Sequence, residues 1–186
     1  ACIMPYYLKR CAEMLAGSTV RASTTIGFPH GGHTTAIKVA EAVQALDDGG
    51  EELDMVVNIS KVLSGDWEYV RADLKAVIDV THERGQKVKV IFENCYLDNA
   101  QKIRLCQLCG EVRVDWAKTS TGYGEGAGTM EDFQLMLDHC PPPVQVKAAG
   151  GVPDLDTLLT IREMGVTRVG KRSVTLLDEE KRRLAT

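Results

Sequence analysis

Three lysines, Lys89, Lys118 and Lys147, stand in short β-like runs: Val88-Lys89-Val90-Ile91-Phe92-Glu93, Asp115-Trp116-Ala117-Lys118-Thr119-Ser120 and Val144-Gln145-Val146-Lys147. A fourth run, Leu53-Asp54-Met55-Val56-Val57-Asn58, carries a carboxylate in the same setting. Side chains alternate between the two faces of a strand. Period two therefore sets Lys89 with Ile91 and Glu93, Asp54 with Val56 and Asn58, Lys118 with Trp116 and Ser120, and Lys147 with Gln145. Three ammonium groups would share a low-dielectric space with two carboxylates, Asp54 and Glu93, a costly arrangement unless the charges are paired. A neighbouring cation and desolvation both disfavour a charged amine, so one lysine is expected to titrate nearer neutrality. A neutral lysine amine adds to aldehydes and ketones and forms a Schiff base.

The run around Lys118 continues as Thr119-Ser120-Thr121-Gly122-Tyr123-Gly124, with Gly126 and Gly128 to follow. Lys147 is followed by Ala148-Ala149-Gly150-Gly151, and the last β-like run ends in Gly170-Lys171-Arg172-Ser173. Exposed amides in glycine turns, joined by cations and hydroxyls, suit a phosphate. A dinucleotide fold is disfavoured, because the first strand–helix unit has no glycine fingerprint and Lys118 stands where a central strand should be apolar. Cys106 and Cys109 fall within a helical run beside Ile103, Leu105 and Leu108, with no second cysteine pair, and read as two small buried apolar residues. His30 and His33 flank Gly31-Gly32 with no carboxylate close in sequence, which reads as loop rather than metal site.

The elements that must position these groups alternate along the chain. Strands are expected at Val20 to Pro29, Glu52 to Ile59, Lys87 to Asn94, Val114 to Gly122, Val144 to Gly151 and Val166 to Lys171. Helices are expected at Thr34 to Asp48, Trp67 to Arg84, Asp98 to Leu108, Thr129 to Leu137 and Asp154 to Met164. Asp98, Thr129 and Asp154 are candidate N-caps. Strand–helix–strand units of about 30 residues imply parallel strands. A central strand of an open parallel sheet is apolar on both faces. Charge on one face of four strands therefore favours a closed barrel, whose chemistry sits at the C-terminal mouth.

The chain has 186 residues, 22 Lys and Arg against 26 Asp and Glu, and a net charge of -4. Neither nucleic acid nor an anionic membrane is an expected partner. No apolar run approaches the ~20 residues that span a bilayer. One domain over residues 1–186 is expected, without a signal peptide at Ala1-Cys2-Ile3-Met4-Pro5, in a reducing cytoplasm.

These motifs, taken in order, resemble the deoxyribose-phosphate aldolase family of class I, Schiff-base aldolases. The matching segments are Ile26-Gly27-Phe28-Pro29, Glu52 to Asn58, Leu63-Ser64-Gly65-Asp66, Lys89 to Glu93, Lys118-Thr119-Ser120-Thr121-Gly122 and Lys147-Ala148-Ala149-Gly150-Gly151. The resemblance implies a (β/α)8 TIM barrel that lacks the family's N-terminal helix and first strand, with Ala1 to Pro5 similar to the second strand. It also implies reversible cleavage of 2-deoxy-D-ribose 5-phosphate to D-glyceraldehyde 3-phosphate and acetaldehyde, with no metal or organic cofactor. Lys118 resembles the Schiff-base lysine, Lys147 the lysine that perturbs it, and Asp54 the acid–base carboxylate. Lys89, Thr121, Gly122, Gly150, Gly151 and Ser173 are the implied substrate-binding positions. Arg172 joins them as an added cation where the family commonly has small residues. The implied partners are a small sugar phosphate and a second copy of the chain in a homo-oligomer, expected as a dimer. Competing readings are a related Schiff-base aldolase with another aldehyde or phosphate substrate, and a phosphate-metabolite-binding barrel without turnover.

Overall fold

In the computed structural model, residues 1–170 and 174–184 are described. Seven parallel strands form one ladder in chain order. They are β1 (Cys2–Ile3), β2 (Ser23–Ile26), β3 (Glu52–Val56), β4 (Lys87–Ile91), β5 (Trp116–Lys118), β6 (Gln145–Ala149) and β7 (Arg168–Gly170). Between and after them run α1 (Leu8–Leu15), α2 (Thr35–Asp47), α3 (Ile59–Leu63), α4 (Trp67–Glu83), α5 (Asn99–Glu111), α6 (Met130–His139), α7 (Leu155–Glu163) and α8 (Val174–Leu184). The ladder curls into a barrel wall, so that Cys2 of its first strand and Arg168 of its last line one common cavity.

Alternation along the strands separates a dry layer from a charged one. Leu53, Met55, Val88, Val90, Ala117, Val146 and Ala148 are buried and join Val70, Leu74 and Val77 of α4, Leu105 of α5 and Phe133 of α6 in one apolar cluster. The intervening residues Asp54, Lys89, Lys118 and Lys147 turn to the barrel interior. Helix starts follow local chemistry. Asp98 and Thr129 form capping boxes with Gln101 and Asp132, and the Asp154 carboxylate accepts the Thr157 N–H. The Asp66 carboxylate caps α4 in the same way.

All six expected strands and five expected helices are present. The strands are shorter than expected: β2, β5, β6 and β7 start one to three residues late, and the C-terminal residues of β2 to β6 leave the ladder to build loops at the mouth. Asn58 is one of these: it does not share the strand face with Asp54 but caps α3, accepting the Lys61 N–H at 3.2 Å. The sequence reading had no counterpart for α1, α3 and α8. Helix α1 does carry the helical spacing Leu8, Cys11, Ala12 and Leu15, over only two turns; Leu8 is buried and the other three pack against the core.

Candidate active site

Strand register brings the cations together. Ile91, Lys118, Lys147 and Arg168 lie side by side across β4 to β7. Two residues lower on the same face, Thr25, Asp54, Lys89, Trp116 and Gln145 form the adjoining row. Asp54 is fully buried, and its carboxylate is the focus of the site. Oδ1 accepts Lys89 Nζ at 2.8 Å, and Oδ2 accepts both Lys118 Nζ at 2.7 Å and Lys147 Nζ at 3.0 Å. The Ser23 hydroxyl reaches Oδ1 at 3.4 Å.

A second interior carboxylate completes the network. Glu52 accepts Lys89 Nζ at 2.6 Å and pairs with the Arg168 guanidinium, which stacks 4.3 Å from the Trp116 ring. Four cations thus face two carboxylates among the described residues. Burial alone would raise the pKa of Asp54, but Lys118, Lys147 and Lys89 outweigh it and hold the carboxyl far below the usual range. Lys147 moves the other way for an amine: desolvation first, then Lys118 and Lys89, lower its pKa against the pull of Asp54. The site therefore contains a fixed anion and an amine, Lys147, that holds its proton less tightly than an ordinary lysine.

Above this network opens a cavity of about 510 Å³, bordered by Lys89, Lys118, Lys147, Thr121, Gly122 and Gly150. Lys118, the last residue of β5, also borders a second hollow of about 310 Å³ walled by Ile3, Met4, Phe28 and Tyr123. The ring of Tyr123 meets that of Phe28 edge-on, with centroids 5.1 Å apart. Gly150 and Gly151 have φ of 75° and 67°, and a Cβ on Gly151 would stand 2.0 Å from the carbonyl oxygen of Gly128. Side chains are excluded there, and the two glycine loops touch.

A profile of the DeoC/LacD family aldolases matches residues 2–171. The chain belongs to this family. It is 62% identical over 184 residues to the deoxyribose-phosphate aldolase of Rhodopirellula baltica, covering 98% of this chain and 76% of that protein. The Thermococcus gammatolerans deoxyribose-phosphate aldolase is 45% identical over 174 residues, 92% of this chain and 77% of that one. Among solved structures, an aldolase called QR15 superposes with a TM-score of 0.92 at 34% identity, over 99% of this chain and 82% of that one. The tetrameric deoxyribose phosphate aldolase from Aeropyrum pernix superposes with a TM-score of 0.87 at 26% identity, over 97% of this chain and 76% of that one.

Within this aldolase, the expected residues Lys118, Lys147, Asp54 and Lys89 meet in one cluster, with Thr121, Gly122 and Gly150 on the cavity wall. Gly151 lies behind Gly150 against the Gly128 loop. Arg172 and Ser173, together with Lys171, lie outside the described residues. Glu93 departs from expectation. It has a left-handed backbone (φ 58°, ψ 63°), which ends the period-two pattern and turns its carboxylate away from the lysines toward Thr121. Glu52 and Arg168 are the interior partners that the sequence reading passed over. Glu52 was recoverable, because it is two residues before Asp54 on the same strand. Arg168 had the weaker signal of a cation within an expected strand.

Cys106, Cys109 and Cys140 are buried free thiols, as the apolar reading of Cys106 and Cys109 requires. No helix among the described residues is long and apolar enough to cross a membrane.

Proposed function

We propose that the protein is a class I aldolase that reversibly cleaves 2-deoxy-D-ribose 5-phosphate into D-glyceraldehyde 3-phosphate and acetaldehyde through a Schiff base on Lys118. The observation that carries this reading is the convergence of three lysine ammonium groups on the single carboxylate of Asp54, below a cavity open to the mouth of the barrel. More cations than anions in a buried space favour loss of a proton from one amine. Lys118 is chosen as nucleophile because it borders both hollows, whereas Lys147 borders one. The substrate is that of the relatives named above.

In this mechanism neutral Lys147 takes a proton from Lys118, and both remain anchored by Oδ2 of Asp54. The freed amine adds to the C1 aldehyde of the open-chain sugar. Lys147 returns the proton to the resulting hydroxyl, and water leaves to give a protonated imine. Lys147 next takes the proton of the C3 hydroxyl. The C2–C3 bond breaks, its electrons flow to the imine carbon–nitrogen system, and D-glyceraldehyde 3-phosphate departs from an enamine. Proton return from Lys147 to C2, followed by addition of water, releases acetaldehyde. Asp54 stays ionised throughout and acts by holding the lysines together. Gly122 and Gly150 border the cavity, and amides of such glycine turns suit the phosphate end.

The reading extends to the whole chain as one catalytic domain, residues 1–186. A homo-oligomer is part of it, supported by the tetrameric relative from Aeropyrum pernix, and light scattering after size exclusion tests this by the mass found. Six free cysteines support a reducing, cytoplasmic setting. The test of the chemistry is borohydride trapping with acetaldehyde, followed by peptide mapping. Ethylation confined to Lys118 and lost in Lys118→Met is expected, whereas folded protein without an adduct would overturn the proposal.

A further inference from the structure

We propose that Glu93 is a positioning residue: its carboxylate fixes the Thr121–Gly128 loop in the shape that receives the phosphorylated end of the substrate. The proposal rests on the aldolase reading for what the loop receives, but the hold of Glu93 on the loop is a separate matter of geometry.

Glu93 is the second residue after β4 and is buried. Its φ of 58° is a backbone conformation that favours glycine or asparagine, and glutamate gains nothing from it locally. What the conformation achieves is to aim the side chain sideways across the mouth, to the start of the loop that follows β5. There Oε1 and Oε2 accept the Thr121 N–H at 3.2 and 3.3 Å, and the Thr121 hydroxyl also donates to Oε2. The same hydroxyl oxygen accepts the Tyr123 N–H at 3.0 Å. Anchoring therefore passes from Glu93 through Thr121 to Tyr123, and Tyr123 borders the hollows beside Lys118.

The loop is moulded around this side chain. A Cβ on Gly124 would stand 3.0 Å from Cδ of Glu93 and 3.0 Å from Sγ of Cys95, and one on Gly126 would stand 2.8 Å from Cβ of Cys95. The loop thus lies directly on the Glu93–Cys95 segment, which is tied to the residue that follows β5 by the Asn94 N–H donating to the Thr119 carbonyl at 3.0 Å. The Thr121 amide and hydroxyl are already committed to a carboxylate, so an incoming phosphate must use amides further along the loop. A flexible loop would instead lose conformational freedom on each binding event, weakening affinity without altering the lysine chemistry.

Two measurements on Glu93→Gln and Thr121→Val test this. The first is hydrogen exchange of the intact protein read by mass spectrometry. Peptides covering Thr121 to Gly128 should exchange at least tenfold faster in both variants, while peptides covering Glu52 to Val56 remain as in the unaltered protein. The second is steady-state cleavage. KM for 2-deoxyribose 5-phosphate should rise about tenfold, with kcat within about threefold and with acetaldehyde trapping on Lys118 retained. Unchanged exchange in the loop would overturn the proposal whatever the activity. A loss confined to kcat would also overturn it, because it would place Glu93 in the chemical steps. If the unaltered protein forms no imine, the aldolase reading fails, and the exchange data still decide whether Glu93 holds the loop.

Discussion

Lys118 and Lys147 are partners in the β5–β6 ladder, and both ammonium groups donate to the same oxygen, Oδ2 of Asp54, at 2.7 and 3.0 Å. Like charges facing one another on adjacent strands repel. They persist here because a buried carboxylate from β3 lies between them. Facing Lys118 across the shared anion is one of the causes that lower the Lys147 pKa, after desolvation by burial.

Lys147→Met removes the amine that accepts protons. Cleavage is expected to fall by about 10²–10⁴-fold at pH 7, the usual scale for loss of a general acid–base group. The sign of the pH dependence follows from the lowered pKa of Lys147, caused first by desolvation and then by Lys118 and Lys89. The active form is the neutral amine, so activity falls as pH drops through that value, which lies below the ordinary 10.5. In Lys147→Met the group that sets this acid limb is gone, so the limb should be lost from the profile. Profiles of kcat/KM between pH 5 and 10 check this.

Asp54→Asn leaves Lys89, Lys118 and Lys147 without their shared anion in a buried space. Breaking a buried ion pair from one side costs about 3–5 kcal/mol, and urea unfolding at pH 7 should show a loss on that scale. The unaltered protein carries a related pH effect. The folded-state pKa of Asp54 lies far below the ordinary 3.8, so its contribution is full above that pH and is lost as pH falls beneath it. Asp54→Asn should flatten this part of the acid unfolding curve.

Lys38 and Asp73 form a fully buried pair at 2.6 Å between α2 and α4, away from the cavity. Lys38 Nζ also donates to the Val56 carbonyl at 3.1 Å, and the Thr35 hydroxyl donates to Asp73 at 2.8 Å. Asp73→Asn should lower stability by about 3–5 kcal/mol. Its KM and imine trapping should match the unaltered enzyme below the unfolding transition, measured by urea titration and steady-state kinetics on one preparation.

Thiol reactivity should divide the cysteines by environment. A hydrogen bond with Cys140, followed by burial, raises the Cys106 thiol pKa, and burial raises that of Cys109. A thiol reagent at pH 8 should modify the exposed Cys2 and Cys95 at least ~100-fold faster than Cys106 and Cys109 in native protein, with the difference abolished in denaturant. Mass mapping of partly labelled protein reads this directly.

Much of this molecule follows from short-range rules that the sequence states openly. Alternation in Leu53-Asp54-Met55 or Val88-Lys89-Val90 places one side chain in the apolar layer and the next in the barrel, whatever the rest of the chain does. Asp98, Thr129 and Asp154 start helices through hydrogen bonds that reach only three residues along the chain. For the same reason Lys118, Lys147, Lys89 and Asp54 are legible as an interior set from the sequence. Other relationships are decided in three dimensions. Glu93 follows its strand in sequence, yet its left-handed backbone is sustained by Thr121, 28 residues later, and no local pattern foretells that turn. The pairing of Glu52 with Arg168 spans 116 residues and depends on the curl of the ladder. Proton affinities are decided in the same way: they depend on how many charges meet at one atom, and only the closing of the strands around Asp54 sets that number.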